Sequence, residues 1–136
     1  MKVNGSCHCG LIAVEGEADP ERVSICHCTD CQTRTGSAFG VVVPVAGETF
    51  KMTGTPTHYL KTTADSGNPR VQAFCPTCGS AIYSTSPGEG RQAVYALRVG
   101  MLAQRDRLVP KRQIWCRSAR PWVAGIDTIP KSQTQT

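Results

Sequence analysis

Large rings are scarce in this sequence: aromatic residues make up 6% of it, although hydrophobic residues make up 40%. A core built mainly from Val, Ala, Leu and Ile buries less area per side chain than one built on rings, and it gains from cross-links. Long apolar stretches are also missing. Met1 to Ser6 reach the first cysteine without a signal-like apolar segment, and no run approaches the ~20 residues needed to span a bilayer. These absences argue against a membrane-spanning or secreted chain and make a cytoplasmic location the expectation. No long Gly/Ser/Pro linker divides the 136 residues and no repeat of 20 to 50 residues is visible. One domain over residues 1–126 is expected, followed by a polar, flexible tail over 127–136.

What the sequence does have is eight cysteines. In a reducing compartment disulfides rarely persist, so clustered cysteines point to metal ligands or redox centres. The formal charge of +5 would suggest a polyanionic partner, but ligating thiols are deprotonated. Seven thiolates remove seven charges and two Zn²⁺ restore four, leaving +2 and a much weaker case for nucleic acid. The densest basic group, Arg105, Arg107, Lys111, Arg112, Arg117 and Arg120, reads first as a solvated face and second as an anion patch.

Short β-branched or aromatic runs recur over residues 11–15, 22–25, 39–45, 50–53, 58–62, 71–74, 81–84, 93–99 and 111–116, most of them separated by Gly or Pro. That pattern predicts a mainly β fold of short antiparallel strands. One or two short helices are expected: one over residues 29–34, capped by Thr29 or Asp30 and stopped at Gly36, and a second over 102–108.

In an extended segment residues i and i+2 point the same way, so Cys7 with Cys9, and Cys26 with Cys28, can each share one metal. Cys75-Pro76-Thr77-Cys78-Gly79 has the form of a zinc knuckle, whose tight turn brings two thiolates together. Four thiolates make a closed structural zinc site, whereas three leave a position for substrate. The compact trio Cys26, Cys28 and Cys31 can hold one metal locally, which leaves Cys75/Cys78 for Cys7/Cys9. Spacing alone also allows Cys75/Cys78 to join Cys26/Cys28. Two zinc ions per chain are expected under either division.

These motifs, Ser6-Cys7-His8-Cys9-Gly10, Cys26-His27-Cys28-Thr29-Asp30-Cys31 and Phe74-Cys75-Pro76-Thr77-Cys78-Gly79-Ser80, resemble those of the glutathione-dependent formaldehyde-activating family, relatives of the centromere protein V domain. Weaker matches add Val99 to Leu102, Ile114-Trp115 and Pro121-Trp122. The resemblance implies a β-tent fold organised around zinc, with Cys7, Cys9, Cys75 and Cys78 on a structural ion and Cys26, Cys28 and Cys31 on the catalytic one. It further implies a carbon–sulfur lyase that joins glutathione and formaldehyde into S-(hydroxymethyl)glutathione. Many relatives carry a basic residue directly after the third cysteine of the trio; here that place is Gln32, and Arg34 follows two positions later.

Neighbouring residues read more plainly. His27 lies between two ligands and should face away from the metal, in a packing or supporting role; His8 is alike, and His58 is expected at the surface. Asp30 suits an Asx turn, while Ser37 and Arg34 are candidates for substrate contact. Cys116 is expected to be a buried small hydrophobe, and Trp115 and Trp122 core or pocket walls. The alternative to an enzyme is a non-catalytic, zinc-stabilised binding module whose basic C-terminal stretch is the interaction surface. An empty trio could also serve redox chemistry.

Overall fold

The computed structural model describes residues 1–135, so Thr136, the end of the expected tail, lies outside the described residues. Ten strands dominate: β1 (Lys2–Ser6), β2 (Ala13–Glu17), β3 (Ser24–Cys26), β4 (Gly40–Ala46), β5 (Lys51–Thr53), β6 (Thr57–Lys61), β7 (Arg70–Phe74), β8 (Ala81–Thr85), β9 (Val94–Arg98) and β10 (Arg112–Ile114). Among the described residues a single α-helix, α1, spans Thr29–Thr35, and short 3₁₀ turns fill several connections. The mainly β expectation is met. All pairings are antiparallel except β10 with β3, which run parallel with Ile114 opposite Cys26.

The strands form two sheets, a small one ordered β1-β2-β5 and a large one ordered β10-β3-β4-β9-β8-β7-β6. One buried cluster draws Val3 and Val14 from the small sheet and Val43, Val45, Ile82 and Leu97 from the large one. On β4 the buried residues Val43 and Val45 alternate with half-buried neighbours, the period expected of a strand covered more fully on one side. The three rings Phe50, Tyr83 and Tyr95 concentrate the limited aromatic area in one place: Phe50 stacks on Tyr95 at 4.1 Å, and Tyr83 meets both edge-on. Isolated bridges pair Gly5 of β1 with Leu102, beyond β9, and Ala18, just after β2, with Val45 of β4. At Gly5 a β-carbon would collide with the Met101 carbonyl, so the close approach requires glycine.

Two local expectations are corrected. Residues 102–108 form turns rather than a helix. Leu102 and Leu108 are both buried, but six residues apart they would lie about 120° apart around a helix, so turned backbone serves burial better. The cap of α1 is Cys28, whose Sγ accepts the Cys31 N–H at 3.3 Å, rather than Thr29 or Asp30. Gly36 ends the helix in the left-handed conformation, φ 62°.

Candidate metal centres and the adjoining pocket

The first pair of cysteines lies on the β1–β2 turn. Cys7 N–H donates to the Ile12 carbonyl at 2.9 Å and Gly10 N–H to the Cys7 carbonyl at 3.0 Å, which folds the turn around the sulfurs. The β7–β8 turn is built alike: Cys75 N–H reaches the Ser80 carbonyl and Gly79 N–H the Cys75 carbonyl, both at 2.9 Å, with Gly79 at φ 73°. His8 N–H donates across to Ser80 Oγ at 3.1 Å and draws the turns together. The sulfurs of Cys7, Cys9, Cys75 and Cys78 consequently gather within 4.8 Å of one another.

Their spacing fits a tetrahedral ion. Four sulfurs about 2.3 Å from a centre stand about 3.8 Å apart; Cys7–Cys9 is 3.6 Å and Cys9–Cys75 is 3.7 Å. Protonation is unequal within the group. The Ser80 hydroxyl and N–H pull Cys78 down to about 5, whereas Cys9, despite the Leu11 N–H, is pushed up to about 11 by desolvation and the neighbouring thiols. Thiolates this close repel one another unless a cation lies between them.

Cys26, Cys28 and Cys31 form the second group, also within 4.8 Å. Strand β3 presents Cys26, the extended segment beyond it presents Cys28, and the first turn of α1 brings Cys31 back onto them. A hydrogen bond from Cys26, then the charge of Arg98, holds Cys31 down at about 5, while Cys26 is driven far above the ordinary thiol range. Gly40, opposite Cys26 on β4, leaves room for this arrangement: a β-carbon there would lie 3.1 Å from Arg98 Nη1 and 3.6 Å from Cys31 Sγ. The donor set, three soft sulfurs beside a buried cation, suits a thiophilic ion such as zinc.

A cavity of about 230 Å³ adjoins this trio, lined among others by Asp30, Lys61, Arg70, Arg98 and Trp115. Asp30 makes no Asx turn; it pairs with Lys61 at 3.1 Å and accepts from Thr63 Oγ1 at 3.0 and 3.1 Å, fastening the β6–β7 loop to the trio. Trp115 is a pocket wall and, among the described residues, the only non-glycine at positive φ, 57°. The Arg117 guanidinium covers its ring at 5.2 Å and pairs with Asp65 of the same loop. A wider groove of about 850 Å³ past Asn4, His8 and Arg105 holds neither cysteine group.

The remaining residues fall outside the pocket. His27 is 1% exposed, with Nε2 2.7 Å from Gln113 Oε1 and its ring edge-on to Phe39. Gln32 Nε2 donates to the carbonyls of His27 and Ser118. Arg34 ties α1 to β7 through Gln72 Oε1 at 3.0 Å and the Ala73 carbonyl at 2.7 Å. His8, Ser37 and His58 are exposed, and His58 Nε2 lies 3.0 Å from Tyr83 Oη. Cys116 is exposed rather than buried, because the turn after Trp115 faces it outward, and Trp122 is 57% exposed. Arg70 and Arg98 had no motif to mark them. Their shared place in the lining of this pocket identifies them, with Arg98 next to Cys31.

The family model described as "Glutathione-dependent formaldehyde-activating enzyme" matches residues 2–118. The chain belongs to this family. No curated protein matches it. A crystal structure of a Rhodobacter sphaeroides protein superposes with a TM-score of 0.58 at 19% identity, covering 81% of this chain and 98% of that one, which supports the fold alone. Among the described residues no helix is long and apolar enough to cross a membrane.

Proposed function

We propose that this formaldehyde-activating family member is a zinc-dependent carbon–sulfur lyase-type enzyme that makes or breaks the bond between a small thiol and a carbonyl carbon. The reaction closest to the family's description is formation of S-(hydroxymethyl)glutathione from glutathione and formaldehyde. The observation that carries this reading is a trio of sulfurs, one short of a closed tetrahedron, opening on a cavity. Cys26, Cys28 and Cys31 would hold the catalytic ion, and Cys7, Cys9, Cys75 and Cys78 the structural one. An ion on the trio supplies positive charge that favours the thiolate form of an incoming thiol.

The residues around the trio bind and orient. Trp115 and the loop fastened by Asp30 and Asp65 narrow the space in which sulfur and carbonyl carbon must meet, and confinement of this kind raises effective concentration. Attack by thiolate forms the C–S bond, the C=O electron pair moves onto oxygen, and solvent protonates that oxygen to give the hemithioacetal. Reversal returns thiol and aldehyde. Seven cysteines grouped at metal-ligand spacing favour a reducing, cytoplasmic setting.

Metal counting on the purified protein, combined with magnetic-resonance exchange between formaldehyde and its glutathione adduct, tests the reading. Two zinc ions and an exchange rate above the uncatalysed one are expected. A rate unchanged when the trio's ion is removed would defeat the zinc-dependent mechanism.

A further inference from the structure

Two guanidinium groups line the pocket without a carboxylate to balance them. Arg98, at the end of β9, is 9% exposed; its Nη2 donates to Ser84 Oγ at 3.0 Å, while Nε and Nη1 have no hydrogen-bond partner. Arg70, at the start of β7, is half-buried and donates through Nη1 to Ser86 Oγ at 3.2 Å. Burial, and after it the charge of Arg98, lowers the Arg70 pKa, so the two cations feel one another. Both acids that line the cavity are engaged elsewhere, Asp30 with Lys61 and Asp65 with Arg117.

Buried cations are retained where an anion completes them. A trio loaded with a divalent ion would carry one negative charge, too little for Arg98, Arg70 and the nearby Arg34, which Arg98 also opposes. An anion bound in the pocket would make up the balance. The cavity of about 230 Å³ is smaller than typical ligand pockets and is lined by the trio as well as by both arginines, which suits a small anionic group.

We propose that Arg70 and Arg98 hold a carboxylate of the thiol substrate, which makes the substrate class carboxylate-bearing thiols and their carbonyl adducts. This rests on the reading above that the trio handles a thiol. It adds the substrate's second anchor point and the residues that select for it. Arg98 also stands beside Cys31, so a substrate anchored there presents its sulfur within the confined space next to the trio.

The test compares 3-mercaptopropionate with 3-mercaptopropanamide, two thiols of nearly equal size that differ in charge, by calorimetry on the zinc-loaded protein. The acid is expected to bind at least about tenfold more tightly, the effect of one charge-assisted contact. Propionate, which lacks sulfur, should compete for the site. Arg70→Gln should remove most of the preference without weakening the amide, and Arg70→Lys should retain part of it. Equal affinity for acid and amide in the unaltered protein overturns the proposal, as does an undiminished preference in folded Arg70→Gln. Should that variant not fold, the comparison in the unaltered protein decides. Formaldehyde exchange on the same two thiols separates the two readings. Acid preference without exchange sinks the reaction and keeps the anion site; exchange without acid preference does the reverse.

Discussion

Replacing two sulfurs in each group should have very different consequences for stability, and the difference can be worked from the chain path. Cys75→Ser with Cys78→Ser, and Cys26→Ser with Cys28→Ser, are the matched pairs: each takes one buried and one half-buried sulfur and the change is nearly isosteric, so losses of packing and desolvation largely cancel. What differs is the span that each centre closes. Cys9 and Cys75 are 66 residues apart, and a tie across such a loop removes unfolded-state entropy worth on the order of 4 kcal/mol. The trio closes only the segment from Cys26 to Cys31, for which the same relation gives roughly 2 kcal/mol. Against a typical total of about 5–15 kcal/mol, the first loss is severe and the second tolerable. The Cys75→Ser, Cys78→Ser double variant should therefore unfold roughly 5–10 °C below the Cys26→Ser, Cys28→Ser one. Thermal unfolding followed by circular dichroism, with zinc counted in each variant, provides the measurement. Equal midpoints, or the trio's variant as the less stable, would refute the assignment of a structural tie to the distant pairs.

Further outcomes follow from individual contacts. Arg34→Met strands Gln72 Oε1 and the Ala73 carbonyl, and urea unfolding should show a loss of about 2–3 kcal/mol together with weaker activity, because α1 carries Cys31. Gly5→Ala forces a β-carbon onto the Met101 carbonyl and should lower the unfolding midpoint by several degrees. In metal-free protein the folded-state pKa of Cys31, about 5, lies below its ordinary value of 9.0, so its ionisation stabilises the fold fully above pH 9.0 and less as pH falls through about 5. Ultraviolet thiolate absorbance should show that titration, and Arg98→Met should move it upward. Trp115→Asn should prove more stable than Trp115→Val by about 1 kcal/mol in denaturant titrations, because asparagine tolerates the left-handed backbone that a β-branched residue resists.

Much of the fold was legible because each strand carries its own punctuation. Pro56 precedes β6, Pro69 precedes β7, and the Pro87-Gly88 pair follows β8. Strand β1 was not, since Lys2-Val3-Asn4-Gly5-Ser6 contains one β-branched residue and becomes a strand through pairing with β2 and the close approach permitted by Gly5. The run 102–108 has helix-forming composition but buries Leu102 and Leu108, and tertiary burial overrode local propensity. Cys116 misled for the opposite reason. Typical burial of a lone cysteine says nothing about a turn whose preceding residue is left-handed.

The candidate site divides along similar lines. Its sulfurs come from motifs in which spacing alone encodes geometry, whereas its cations come from positions 28 residues apart in sequence, on β7 and β9, that the sheet brings to the lining of one pocket. Charge counting directed attention to the basic C-terminal group, yet those residues are exposed, and two of them pair with single acids, Lys111 with Glu21 and Arg117 with Asp65. The positive charge that lines the pocket is instead buried at Arg98 and half-buried at Arg70. On the proposed reading anion selection can change without touching a cysteine: Arg70 lies on β7, away from the elements that carry the trio, and its substitution would alter which thiol is accepted, whereas Arg98 also acts on Cys31. The cysteine motifs thus argue for the reaction class, and the strand-end arginines for its substrate.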